Sequence, residues 1–222
     1  MSKVIPSIIP KRFSDIERDV SLVKDFVSKI QIDVCDGVFC PSKTWPYENS
    51  DFFEDLVSEK ESLPFWQDID YQVHLMVSNP EDVILKWSKT SVTDIIFHIE
   101  ATSKPFEIID ILRAENINVG VSIKPSTDNR KVLDLLDKVD FLQIMGSDDI
   151  GKNGVSIESS SIDKVDFFRK NFPDLDLYFD IGVNDHTAKD LIKRGVKFLI
   201  SGSFIFESLN PVSAIKEIEN IK

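Results

Sequence analysis

Eight short runs rich in β-branched and apolar residues recur along the chain, at 4–9, 29–36, 71–77, 94–100, 118–125, 140–146, 176–183 and 198–206. Strands covered on both faces read as such near-continuous apolar runs. Between them the apolar residues change to helical spacing, as in Phe13, Ile16, Val20, Val23 and Phe26, in Phe106, Ile109 and Leu112, and in Val132, Leu133, Leu135 and Leu136. Two helix starts are signposted: Ser78-Asn79-Pro80-Glu81-Asp82 precedes Val83-Ile84-Leu85, and Asn184-Asp185 precedes Ala188-Lys189-Asp190-Leu191, with Gly195 as a stop for the latter. Alternating strands and helices imply parallel strands joined by right-handed crossovers. Eight units in 222 residues, with no low-complexity linker, predict an α/β fold, a (β/α)8 TIM barrel occupying 1–222 as a single domain. An open doubly wound sheet is the alternative, because alternation alone does not demand closure.

Barrel chemistry gathers in the loops that follow the strands. The segments after the second and sixth runs are longer than the others and are expected to cover an active site. In KIQIDVCDG, Asp33 lies inside an apolar run, with Gln31 and Cys35 on its face by the two-residue period. A carboxylate there costs several kcal/mol unless another charge or a metal compensates. Asp36, beside Gly37, reads as a loop cap. YQVHLMV puts His74 and Met76 on one face, and DLYFDIGV carries Asp180 near its end. Asp33, His74 and Asp180 are therefore placed to converge on one divalent ion. His98 and Glu100 in DIIFHIEA share a face and read as a hydrogen-bonded pair supporting that set. Met76 and Met145 fill the core or floor a small substrate site. Gly182 and the Gly202-Ser203 pair let backbone amides approach an anion, while Lys124 reads as a carboxylate partner rather than an imine former.

Other classes are set aside by composition. A formal net charge of −12 argues against nucleic acid as a partner. The apolar start is broken by Pro6 and Pro10, so neither a secretory leader nor a membrane span is expected, and a cytoplasmic location is. The only cysteines, Cys35 and Cys40, suit neither a disulfide framework nor a close CxxC site and read as reduced thiols. Self-association into a homo-oligomer is left open.

Taken in order, PSI from Pro6, DVCDGVFCP, VHLMVSNP, FHIEA, GVSIKP, FDIGV and SGSFIF resemble the ribulose-phosphate 3-epimerase family over nearly the whole chain. The resemblance implies a metal-dependent epimerase interconverting D-ribulose 5-phosphate and D-xylulose 5-phosphate. Asp33 and Asp180 would exchange the proton at C3 from opposite faces. A divalent ion, Fe²⁺, Mn²⁺, Zn²⁺ or Co²⁺, would be held by Asp33, His74 and Asp180. Ser7, His74, Met76 and Met145 would contact the sugar, and Gly182, Gly202 and Ser203 would hold the phosphate. The chain departs from the pattern at Gln31, where the family has a metal-binding histidine; as a fourth ligand its carbonyl oxygen would suit harder ions. It departs again in GSDDIGKNG (146–154), which replaces a glycine-rich loop and adds Asp148 and Asp149 beside Lys152, and at Cys35 and Ile181, in place of a methionine and a glycine. Two further readings follow from these departures: a non-catalytic phosphosugar-binding barrel, and a 3-epimerase of another phosphorylated ketose such as a hexulose 6-phosphate. A DxKxxD motif, the mark of related decarboxylases and synthases, is absent.

Overall fold

The computed structural model describes residues 3–221; Met1, Ser2 and Lys222, the ends of the expected 1–222 unit, lie outside the described residues. Eight strands, β1 (Lys3–Ile8), β2 (Lys29–Cys35), β3 (Asp70–Met76), β4 (Asp94–His98), β5 (Asn118–Ile123), β6 (Phe141–Met145), β7 (Leu177–Asp180) and β8 (Phe198–Ser201), form one closed parallel barrel in sequence order. The closing pair, β1 with β8, aligns Val4 with Leu199 and Ile5 with Ile200, which excludes the open sheet. Around it run α1 (Phe13–Val23), α2 (Phe53–Val57), α3 (Ile84–Trp87), α4 (Pro105–Ala114), α5 (Arg130–Leu133), α6 (Ser159–Asn171), α7 (Ala188–Lys193), α8 (Ser203–Phe206) and α9 (Pro211–Glu219). No helix among the described residues is long and apolar enough to cross a membrane.

The helices form for local reasons. In α1, Ile16, Val20 and Val23 recur one turn apart and are fully buried, and Asp15 Oδ2 turns back to accept from the Lys11 and Arg12 amides at 2.9 and 3.0 Å. Gly195 follows α7 at φ +88°, the left-handed stop its position suggested. Phe26 lies beyond α1, half exposed, so the expected helical run ends a turn early.

Several strands are shorter than their apolar runs, and in three the chain turns into another conformation. The fourth stops at His98 and enters a 3-10 turn, Ile99–Ala101, so His98 and Glu100 do not share a strand face as expected. The seventh stops at Asp180 because Ile181 and Gly182 take φ +79° and +76°, which leaves the extended region. The eighth stops at Ser201, and its apolar tail forms α8. Apolar content marks burial, and these tails are buried or half-buried without being strand.

Strand parity then divides the molecule. Val4, Ile32, Val73, Ile95, Val121, Ile144, Phe179 and Leu199 face outward and join the helices in one large core. The opposite parity faces the barrel axis. At its lower level, Ile5, Ile96, Phe141, Tyr178 and Ile200 form a separate apolar cluster. One step up each strand the side chains become polar.

Candidate active site at the barrel mouth

Asp33 and Asp180 stand in this upper level, both more than nine-tenths buried, with His74 fully buried between them. The register sets Asp33 against His74 and Met145 against Asp180, and closure of the barrel brings the two pairs to the same mouth. His74 Nδ1 lies 3.2 Å from Asp33 Oδ1 and 3.5 Å from Asp180 Oδ2. Gln31 turns its amide nitrogen into the same space, donating to Asp33 Oδ1 at 2.7 Å and Asp180 Oδ2 at 3.0 Å, while its carbonyl oxygen accepts from Gln72 at 2.7 Å. Gln143 also donates to Asp180 Oδ2, at 3.2 Å, and stands 3.3 Å from His74 Nδ1. Two carboxylates from strands far apart in the chain are thus held by the same amide.

Electrostatics follow from burial. Desolvation pushes Asp33 up to about 6, and the negative charge of Asp180 adds to this, against the opposing pull of the His74 and Gln31 hydrogen bonds. For His74, burial disfavours the charged ring, but hydrogen bonds to Asp180 and Asp33 together with their charges outweigh it and hold the ring at about 9. His98, buried and beside His74, falls to about 4.

The ligand atoms of Asp33, His74 and Asp180 lie within 4.8 Å of one another, so this group could hold a divalent cation. Ligands about 2.1 Å from one ion stand about 3–3.5 Å apart, and the 3.2 and 3.5 Å contacts of His74 Nδ1 match that spacing. Two carboxylates and one imidazole form a donor set suited to first-row divalent ions. The fourth corner is taken by the Gln31 nitrogen, a donor that does not ligate in this orientation. Gln72 Oε1 and Gln143 Oε1 are buried with no hydrogen-bond partner among the described residues. Both amides belong to the network of the acidic pair, Gln143 through its nitrogen on Asp180 and Gln72 through its nitrogen on Gln31.

Above the acidic pair opens a cavity of about 440 Å³, lined by Ser7, Asp33, Met76, Met145, Asp180, Gly182, Gly202 and Ser203, together with segments 151–157 and 181–184. Of the expected site residues, His74 and Gln31 lie beneath the cavity and the rest line it. Met76 and Met145 pack with Cys35, Cys40 and Ile150 as an apolar floor, and both cysteines are free thiols. Gly202 allows close approach, since a Cβ there would sit 2.9 Å from Ser7 Oγ and 3.0 Å from Ser7 O. Lys152 is the one cation among the lining residues, and it pairs with Asp149 at 2.9 Å. Asp148 turns away to accept from Ser126 Oγ at 3.0 Å. Asp36 caps its loop as expected, accepting from Val38, Phe39 and Ser78 amides. Lys124 finds an aromatic ring, with Nζ 4.4 Å over Phe39, where a carboxylate partner was expected.

The model of the ribulose-phosphate 3-epimerase family matches residues 3–206. The chain belongs to the ribulose-phosphate 3-epimerase family. It is 27% identical over 220 residues to the ribulose-phosphate 3-epimerase of Schizosaccharomyces pombe, covering 99% of this chain and 93% of that protein. The rice protein named ribulose-phosphate 3-epimerase, cytoplasmic isoform, is 25% identical, covering 98% and 92%. Among solved structures, 3-hexulose-6-phosphate synthase from Salmonella typhimurium superposes with a TM-score of 0.72 over 99% of this chain and 97% of that one, at 16% identity, a likeness of fold.

Gln72 and Gln143, which complete the polar network, escaped the sequence reading. Each lies two residues before a residue it did pick out, His74 or Met145, and so on the same strand face. That parity was the available signal.

Proposed function

We propose that the chain is a ketose-phosphate 3-epimerase that interconverts D-ribulose 5-phosphate and D-xylulose 5-phosphate, with Asp33 and Asp180 as the acid/base pair. The observation that carries this is the pair itself: two buried carboxylates from β2 and β7 line one cavity and share one amide donor. Asp33, held near 6, is mostly ionised at neutral pH yet binds a proton far more readily than an ordinary carboxylate, and so suits either direction of proton transfer. One aspartate removes the C3 proton from one face of the ketose and the other returns it on the opposite face. Asp33, His74 and Asp180 would hold the divalent ion, with Gln31 as fourth ligand once its amide turns Oε1 inward. When bound, that ion supplies positive charge to the oxygens that become negative on deprotonation. The oxygen-rich donor set suits Mn²⁺ or Fe²⁺ among the four ions. Ser7 positions the sugar, Met76 and Met145 exclude water beneath it, and the amides of Gly182, Gly202 and Ser203 receive the phosphate at the other end. The cavity volume lies in the usual range for a small-molecule site. A cytoplasmic location accords with the rice relative's name.

Proton NMR of D-ribulose 5-phosphate in D₂O with added Mn²⁺ tests this. Deuterium at C3 and the appearance of xylulose signals are expected. Exchange restricted to a hexulose 6-phosphate would reassign the substrate, and binding without exchange on any ketose phosphate would replace the enzyme by a phosphosugar-binding barrel.

A further inference from the structure

Beside Asp33 and Asp180 the barrel holds one more run of titratable groups, and its hydrogen bonds order the protons along it. Glu100 Oε1 accepts from the Lys124 amide at 2.8 Å and from Thr127 Oγ1 at 2.5 Å, which pins the carboxylate. Its second oxygen lies 3.1 Å from His98 Nδ1. A carboxylate only accepts, so His98 carries its hydrogen on Nδ1, and the neutral ring has a bare Nε2. That bare nitrogen stands 2.9 Å from His74 Nε2. Two bare nitrogens at this distance repel, so His74 must donate from Nε2. With Nε2 committed to His98, Nδ1, which faces Asp33 Oδ1 and Asp180 Oδ2, is the ring nitrogen that can exchange its hydrogen for a cation.

We propose that Glu100 and His98 are positioning residues that set the tautomer of His74, so that His74 turns a bare Nδ1 toward Asp33 and Asp180 to receive a divalent cation. This rests on the metal-dependent epimerase reading. Carboxylate and imidazole partners of a metal-bound histidine commonly orient it in this way, and removing them costs about 10- to 100-fold in metal affinity. The relay here is two imidazoles long, and both ends are built. The Phe39 ring packs 5.0 Å from the His98 ring, with Lys124 Nζ over its face.

The ordering also runs backwards. In Glu100→Gln the side-chain oxygen must stay on the Lys124 amide, so the new NH₂ group meets His98 Nδ1. His98 then carries its hydrogen on Nε2, and His74 is driven to Nδ1–H, which closes the cation position.

The test uses the full chain labelled with ¹⁵N-histidine. Long-range ¹H–¹⁵N NMR at neutral pH reads the His98 tautomer without metal, and equilibrium dialysis against Mn²⁺ reads affinity. Wild type is expected to show Nδ1–H on His98. Glu100→Gln is expected to move it to Nε2–H and weaken Mn²⁺ binding about 10- to 100-fold, while Glu100→Asp, still an acceptor only, keeps the wild-type tautomer. A merely structural role would lower the melting temperature of Glu100→Gln and leave the hydrogen in place. Nε2–H on wild-type His98, or undiminished Mn²⁺ affinity in Glu100→Gln, would overturn the proposal. If Glu100→Gln fails to fold, the wild-type and Glu100→Asp spectra decide. If wild type takes up no divalent ion, the metal-dependent reading fails, and the His98 tautomer still decides the relay.

Discussion

The lower and upper levels of the barrel interior share one side-chain parity, and on β4, β6 and β7 they lie two residues apart, yet they do opposite things. Below, Phe141 and Tyr178 stack with centroids 4.0 Å apart among Ile5, Ile96 and Ile200, an apolar plug. Above, Gln31, Asp33, Gln72, His74, His98, Gln143 and Asp180 replace it. Burying apolar area stabilises the fold, whereas burying carboxylates costs free energy that hydrogen bonds only partly return. The lower level therefore fixes the barrel's shape, and the upper level spends part of that stability on burying polar groups and holding Asp33 at raised affinity for protons.

The largest effect expected from breaking the upper level is on turnover. Asp33→Asn or Asp180→Asn should each lower kcat by about 10²–10⁴-fold, the usual worth of a general acid or base. Denaturant midpoints should hold or rise, because a buried charge has been removed. A variant that turns over at the wild-type rate would take that aspartate out of the reaction. Next comes the lower level, where Phe141→Ala should cost about 3–5 kcal/mol by urea unfolding, with kcat per folded molecule little changed. If Phe141→Ala instead removed activity with stability intact, the division into two levels would be wrong.

How much of this could be read from residues alone follows the same division. The barrel was legible because every strand is covered on both faces and so reads as an apolar run. Asp33, His74 and Asp180 were legible because a polar residue inside such a run is conspicuous. Their partners were not. Gln143 reaches Asp180 and His74 because β6, β7 and β3 present them at one height, and that stagger is set by barrel closure rather than by spacing within any strand. Glu100 was paired with His98 correctly, but through a 3-10 turn in place of a shared strand face. Of the loop acids, Asp148 turns to Ser126 outside the cavity while Asp149 pairs with Lys152 on its lining, a division that spacing along the chain does not show.

The upper level should also be where acid attacks the fold. Glu100 is held at about 2 against an ordinary 4.5, and His98 at about 4 against 6.5. Both shifts are downward, so each group's stabilising contribution is present above its ordinary value and fades as pH falls toward the folded one. Between pH 6.5 and 4 the loss through His98 is met by a gain through Asp33, whose raised value makes the folded state take up its proton first, so the net decline should fall between 4.5 and 2 through Glu100. The Glu100 part amounts to about 3 kcal/mol when complete. Urea unfolding from pH 7 to 3 should show this decline in wild type and a shallower slope below pH 4.5 in Glu100→Gln. Parallel slopes in the two proteins would mean that Glu100 is not the group that titrates.

The smallest expected effect concerns the rim where the two carboxylates meet the cavity. Ile181 holds φ +79°, a conformation that a β-branched residue adopts only under strain. Such strain costs about 1–3 kcal/mol. Against this, the side chain packs on the cluster of Cys35, Met76 and Met145, which Ile181→Gly would give up, along with about 0.5–1 kcal/mol of chain entropy. The terms oppose one another and are of similar size, so Ile181→Gly should unfold within about 1 kcal/mol of wild type. Its effect should fall on KM, because Ile181 lines the cavity beside Asp180 and Gly182, the edge proposed above to receive the phosphate end of the substrate. A KM lowered with kcat unchanged would identify Ile181 as steric crowding at that edge. A loss of several kcal/mol would show instead that the rim residue belongs energetically to the apolar floor, and the boundary between the two levels would then move up to include it.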